Sequence, residues 1–220
     1  MTKADEAYAL LAEMIETGGL KSGAFWTEAG LVEELGLGRT PLREAVQRLD
    51  REHLVRIRAG RGIEIPANSV DDQLLRLEVR RSMESLAATL ACARASEGEL
   101  ATIGELTEQL RGLDDLQPYL AAVRKTHGLL CEAAHNEYLA NAMTPLQGLS
   151  RRFWLANVRD PAAEVAAGKA LHLELLTALL ERDAEQCQRA VVRLNDYLVD
   201  FALNVAARNS RAGRTGPAGY

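Results

Sequence analysis

A single stretch of the 220 residues, Leu54 to Pro66, alternates with the two-residue period of a strand. Val55 and Ile57, then Ile63 and Ile65, stand against Arg56, Arg58 and Glu64, and Gly60-Arg61-Gly62 at the centre marks a hairpin turn. Wherever else the sequence has a period, it is that of a helix, so the fold class is mainly α. Ala7 to Ile15 sets Leu10, Leu11, Met14 and Ile15 on one face, and Gly18-Gly19 stops that helix. Glu28 to Leu35 forms a short second helix ending at Gly36. Thr40-Pro41 then opens a third, Thr as a cap for free amides and Pro in the first helical position. Leu42, Ala45, Val46 and Leu49 follow at i, i+3, i+4 and i+7, a stripe that faces a core.

Beyond a polar linker, Ala67 to Asp72, the pattern predicts only amphipathic helices: 70–95, 97–113, 118–134, 137–158, 161–180 and 184–206. Pro145 should kink or split the fourth. At roughly 100 to 200 residues per domain, two domains and a tail are expected: residues 1–68 as a domain of three helices and the hairpin, 69–207 as an all-helical domain, and 208–220 as a disordered tail. With 47% hydrophobic and 26% charged residues, collagen-like, disordered and disulfide-scaffold classes are excluded. No apolar run reaches the length of a membrane span, and the N-terminus lacks the basic stretch and apolar core of a signal peptide. Cys92, Cys131 and Cys187 lie far apart with no C-x-x-C spacing, which fits a reduced, cytoplasmic setting.

The charge is unevenly placed. Residues 1–35 hold 2 basic and 7 acidic side chains, whereas residues 36–66 hold 7 arginines against Glu44, Asp50, Glu52 and Glu64. Helix, short helix, turn, helix and glycine-tipped hairpin is the order of a winged helix-turn-helix, whose helix after the turn enters the DNA major groove. Arg39 and Thr40 sit at that helix's N-terminus, where free amides favour a phosphate. Arg43 and Gln47, with Asp50 or Arg51, share the face opposite the stripe, and Arg43 is the base-reading candidate because its fork can bond guanine O6 and N7 together. Gly60 and Gly62 let the wing approach the minor groove, with Arg61 at its tip. Taken alone, an arginine-rich helix face is a solvated surface. Joined to Thr40-Pro41, the turn and the wing, it reads as a DNA-binding face.

Gly38-Arg39-Thr40-Pro41-Leu42-Arg43-Glu44-Ala45, followed by Arg61-Gly62, resembles the winged-helix signature of the GntR family of bacterial transcription regulators. The resemblance covers Ala4 to Pro66 and implies that Arg39, Thr40, Arg43 and Gly60 touch DNA. Two positions depart from the pattern: Gly38 replaces the usual Ser, and Ala29 stands where the family often has an Arg on the operator backbone.

In the helical part, His127 sits in a stripe with Leu120, Val123, Leu130 and Ala134, and His172 in one with Val165, Gly168, Leu175 and Leu179. Two imidazoles thus point inward from different helices, as hydrogen-bonded core residues or as part of a shared pocket. Leu77 to Glu84, Thr126-His127, His135-Asn136 and Leu171-His172 with Arg182-Asp183-Ala184 resemble the FadR-like (FCD) ligand-binding domain of the same family. That resemblance implies a divalent metal held by an Asp and three His, at positions that here read Val123, His127, His172 and Leu194. Two of the four are apolar, and Asn195 is at most a weak substitute, so His127 and His172 form an incomplete metal site.

Arg80 matches an inward Arg of the family and reads either as an anion contact or as a salt bridge with Glu84. Arg80, His127, His172 and Asn195 are accordingly the effector-binding candidates, suited to a small anionic metabolite such as an organic acid. His53 is read as a cap or surface residue and His135 as a turn residue. Arg151-Arg152-Phe153-Trp154 is read as core packing with flanking arginines, or as a wall of the helical cup that the FCD resemblance implies, or as a dimer seam. The expected protein is a homodimeric DNA-binding regulator, a repressor, relieved by an organic acid without a required metal cofactor. Metal-dependent sensing is the alternative. An enzyme, such as a metal-assisted hydrolase using His127 and His172, is not expected, because neither G-x-S-x-G nor H-E-x-x-H is present.

Overall fold

The computed structural model describes residues 2–214. In chain order the elements are α1 (Lys3–Thr17), β1 (Phe25–Trp26), α2 (Glu28–Leu35), α3 (Arg39–Arg51), β2 (Arg56–Arg58), β3 (Gly62–Glu64), α4 (Val70–Arg94), α5 (Glu97–Arg111), α6 (Leu116–Ala133), α7 (Glu137–Asn157), α8 (Pro161–Leu180) and α9 (Ala184–Arg214). They form two compact units. One takes the residues up to Ser69 together with Arg151–Ala156; the other takes Val70–Ser150 and the residues from Asn157 onward.

In the first unit α1 begins at a reciprocal cap: the Thr2 side chain accepts from the Asp5 amide, and the Asp5 carboxylate accepts from the Thr2 amide. It ends at Gly18, whose left-handed φ of 82° suits a residue without a Cβ. The buried line of α1 is Ala7, Leu11 and Ile15, whereas Leu10, expected inward, is 37% exposed. The i, i+4, i+8 ridge is the one that meets α3, where Leu42, Ala45, Val46 and Leu49 are buried as their spacing predicted.

The hairpin pairs Arg56 with Glu64, Ile57 with Ile63 and Arg58 with Gly62. A third strand, too short to show alternation, is added by Phe25 and Trp26 opposite Glu64 and Ile63, giving the order β1-β3-β2. Ile57 lies on the outer strand and is 49% exposed, not inward as its alternation suggested. Gly62 makes the three-stranded arrangement feasible. Its φ is 97°, and a Cβ there would collide with the backbone carbonyl of Trp26.

Within this unit Arg151 grips Glu16 through two bonds of 2.8 and 3.0 Å. Arg152 donates to the Ser22 hydroxyl and, at 2.8 Å, to the Pro66 carbonyl. Phe153 and Trp154 are buried beside them, the packed reading of that cluster.

In the second unit α4 lies along α9, with α6 and α8 completing the core. Ala87, Ala88 and Ala91 face Ala190 and Val191, small side chains that allow close axes. Two expectations are corrected. α7 is not split at Pro145 but is one helix across it, because one missing amide bond is outweighed by the burial of Leu139, Met143, Leu149, Phe153 and Trp154 along the helix. The last helix does not stop near Ala206 but continues through Arg214, so residues 208–214 of the expected tail are helical. The buried Phe201, Ala202 and Val205 anchor that extension, and Arg208 donates to the Asn157 carbonyl at 3.3 Å. The rest of the expected tail lies outside the described residues.

Candidate nucleic-acid interface and a buried polar cluster

α3 starts two residues earlier than Thr40-Pro41 suggested. Gly38 is the N-cap and makes no side-chain cap bond, Arg39 is the first helical residue, and Thr40 and Pro41 follow inside the first turn. Thr40 is therefore exposed within the helix and does not cap it. No acidic side chain occupies the first turn. The positive end of the helix dipole is thus left uncompensated by any side chain of that turn, as suits a phosphate.

Arg39, Arg43, Gln47 and Arg51 succeed one another at four-residue spacing and are all exposed, on the side away from the buried stripe. Arg43 rests on Glu28 of α2, Nε to carboxylate 2.6 Å, with the two side chains 63% and 45% exposed. An ion pair so wet contributes little and exchanges readily for another anion. Arg48 is spent on structure: it bonds Glu52 at 3.0 Å and lies 3.8 Å above the Tyr8 ring, tying α3 to α1. The Tyr8 hydroxyl donates to Glu52, and burial followed by that bond pushes the phenol's pKa up. In the wing Gly60 has a φ of 71° with open space around it, Arg61 is exposed, and Arg58 pairs with Glu64 at 2.6 Å. Ala29, exposed on α2, offers only a methyl group to a neighbouring backbone.

The helical unit holds the other candidates, all buried. Arg80 is 1% exposed and bonds Glu84 one turn on, through Nη2 at 2.8 Å and Nε at 3.2 Å. The same carboxylate oxygen accepts from Gln147 Nε2 of α7 at 3.0 Å. The salt-bridge reading of Arg80 is thus realised, with Gln147 as a member that its sequence surroundings did not mark. Asn195 donates to the Leu77 carbonyl at 3.0 Å, which ties α9 to α4.

His127 and His172 do come together, ring centroids 5.8 Å apart. His172 Nδ1 lies 2.7 Å from the Gly168 carbonyl, and because a carbonyl only accepts, this nitrogen carries the hydrogen and Nε2 is the acceptor of the neutral ring. The Tyr119 hydroxyl is 3.3 Å from the same nitrogen. It sits where a Cβ on Gly168 would be, so glycine at 168 is what admits the phenol. Desolvation raises the Tyr119 pKa and keeps it protonated. Tyr119 and Gly168 were missed as a pair; the only trace in the sequence is a glycine inside a helical stripe.

A divalent metal does not suit this donor set. Val123 and Leu194, at the positions where the resemblance implies ligands, are buried hydrocarbons, 5% and 4% exposed. Two imidazoles fall short of the three or four protein ligands a transition metal takes, and among the described residues no group of three His, Cys, Asp or Glu is placed to hold one. His53 and His135 adopt left-handed φ values of 62° and 47° at helix ends, and His135 reaches Glu99 at 3.1 Å.

A winged helix with an exposed arginine ridge, followed in sequence by an all-helical unit with a buried polar cluster, defines a helix-turn-helix transcriptional regulator. Residues 3–65 match the gntR family of bacterial regulatory proteins and residues 76–196 match the FCD domain. The chain belongs to the gntR family, in its FCD-containing branch, and is a DNA-binding transcriptional regulator, not an enzyme. It is 28% identical to the HTH-type transcriptional regulator YdhC of Bacillus subtilis over 64% of this chain, a match that spans 65% of that protein, just under two thirds. It is also 28% identical to the Nta operon transcriptional regulator of Aminobacter aminovorans, over 75% of this chain and 78% of that one. Among solved structures McbR/YncC of E. coli superposes with a TM-score of 0.80 at 21% identity, covering 93% of this chain and 98% of that chain, a likeness of fold. Among the described residues no helix is long and apolar enough to cross a membrane.

Proposed function

We propose that this regulator is a repressor that binds a two-fold operator as a homodimer and is released by a small organic acid taken up without a metal. The observation that carries the DNA half is the exposed ridge Arg39, Arg43, Gln47 and Arg51 on a helix with an uncapped N-terminus, flanked by a wing bearing Arg61. Arg39, Thr40, Gly60 and Arg61 hold phosphates and set the register, while Arg43 leaves Glu28 and reads a guanine. One module of this size gives too small a footprint for genomic specificity, hence two half-sites.

The effector half rests on His127, His172 and Tyr119, with Arg80 and Asn195 on neighbouring helices. Because His172 already donates Nδ1–H to Gly168, it can donate to a carboxylate through Nε2 only as an imidazolium. Binding an anion there therefore takes up a proton. An effector that favours one arrangement of the DNA-binding heads shifts the operator equilibrium by its differential affinity, commonly about 1 to 3 kcal/mol.

Gel-shift titration on the promoter region beside its own gene tests the first half. Arg43→Ala should weaken the specific complex roughly tenfold to a hundredfold; equal binding by this variant removes Arg43 from the interface. Calorimetry with organic acids tests the second half. Affinity should survive chelation, and the enthalpy should vary with the buffer's ionisation enthalpy; chelation that abolishes binding, with one metal per chain in the untreated protein, overturns the metal-free reading.

A further inference from the structure

The helical unit brings together two cysteines that are 95 residues apart in sequence. Cys92, near the end of α4, and Cys187, in the first turn of α9, lie 3.1 Å apart, sulfur to sulfur, within reach of an S–H···S hydrogen bond. A disulfide is about 2.05 Å long, so the pair closes by an approach of roughly 1 Å, which small side-chain rotations can supply. Both belong to the core between α4, α6, α8 and α9, at 5% and 0% exposure, surrounded by Ala88, Ala91, Ala190 and Val191. The small neighbours keep the helix backbones close, and the burial excludes a bulky reagent.

The two thiols are not equivalent. The hydrogen bond between them favours the thiolate at Cys92 and holds the proton on Cys187, so Cys92 is pushed down in pKa and Cys187 up. The Arg182 guanidinium reinforces this by lying at the end of α4, where it donates to the Cys92 carbonyl at 3.0 Å and the Ala95 carbonyl at 2.6 Å. Asp183 opposes it.

We propose that Cys92 and Cys187 form an oxidisable dithiol site for hydrogen peroxide, which converts them to an α4–α9 disulfide. The Cys92 thiolate attacks one peroxide oxygen, the O–O bond breaks, and Cys92 becomes a sulfenic acid as hydroxide leaves and is protonated to water. Cys187, giving up its proton, attacks the Cys92 sulfur; the S–S bond forms, the S–O bond breaks, and a second water leaves. Two thiols are oxidised by two electrons and one peroxide is reduced to two waters. The product pins together the helices that also carry Arg80, Glu84 and Asn195. The inference rests on thiol geometry and is independent of the effector reading.

The test uses the full chain, reduced, treated with hydrogen peroxide, quenched and alkylated under denaturing conditions. Two of its three thiols should be lost within one chain, peptides containing Cys92 and Cys187 should be linked, and dithiothreitol should restore all three. The oxidised protein should melt at a higher temperature, reversibly. Cys131→Ser should behave as wild type, and Cys187→Ser should leave Cys92 as a sulfenic acid that dimedone traps when the chain is unfolded in its presence. Three thiols remaining after peroxide, a link through Cys131 or between chains, or Cys92 driven to sulfinic acid beside an untouched Cys187 would each overturn the proposal. Should Cys187→Ser not fold, the wild-type and Cys131→Ser peptide maps decide it.

Discussion

At Glu84 a single carboxylate oxygen accepts from both Arg80 and Gln147, and all three side chains are buried. Desolvating both charges costs several kcal/mol per ion, which the pair recovers only through close geometry and the added bond from Gln147. Removing one partner is thus far worse than removing both. Glu84→Leu alone should cost about 3 to 5 kcal/mol by leaving a buried guanidinium unpaired, whereas Arg80→Met with Glu84→Leu should recover most of the loss. Denaturant unfolding of the two variants checks this; a double variant no more stable than the single one would mean that Arg80 finds another anion. Arg43 sits at the opposite extreme, since its exposed ion pair with Glu28 leaves its value to a partner in DNA.

Among the elements, α5 shows how one cap makes a helix sensitive to acid. Glu99 accepts from the Ser96 amide and hydroxyl, each at 2.7 Å, and from His135 at 3.1 Å. The Ser96 amide, then its hydroxyl, then His135 bring the carboxyl from the usual 4.5 to about 2. A folded pKa below the unfolded one means that this stability is present above pH 4.5 and is lost as the pH falls toward 2. Glu99→Gln should cost about 1 kcal/mol at neutral pH, the size of a cap, and flatten the fall in stability over that window. Unfolding curves taken across the acid range would show it; an unchanged acid limb in the variant would assign the dependence to other carboxylates. Ser96 and Glu99 stand at the three-residue spacing of a capping box, whereas the His135 contact depends on the left-handed turn between α6 and α7.

For the whole molecule, the proposed homodimer has a candidate seam. Leu75, Val79 and Leu86 lie 61%, 48% and 49% exposed along one face of α4. Antiparallel pairing of α4 with its copy, about a two-fold axis near the exposed Ser82, would set Val79 against Leu86 of the second chain. Val79→Glu with Leu86→Glu should sediment as one chain where wild type sediments as two, and should lose at least about tenfold in operator affinity as the half-sites uncouple; a variant that stays dimeric would place the seam elsewhere. What the sequence by itself determined was local: helical periods along most of the chain, the 42-45-46-49 stripe of α3 and the arginine ridge opposite it. Those follow from spacings of a few residues, which fix the direction a side chain takes from its own helix. Only the tertiary structure decided which helix that side chain meets. It chose Ala7 over Leu10, added β1 to the hairpin, joined Gln147 to Glu84, seated Tyr119 against Gly168 and set Cys92 beside Cys187. Such partners are separated by tens of residues, and no single-chain periodicity carries their pairing, because it is settled by how helix ridges fit one another in three dimensions.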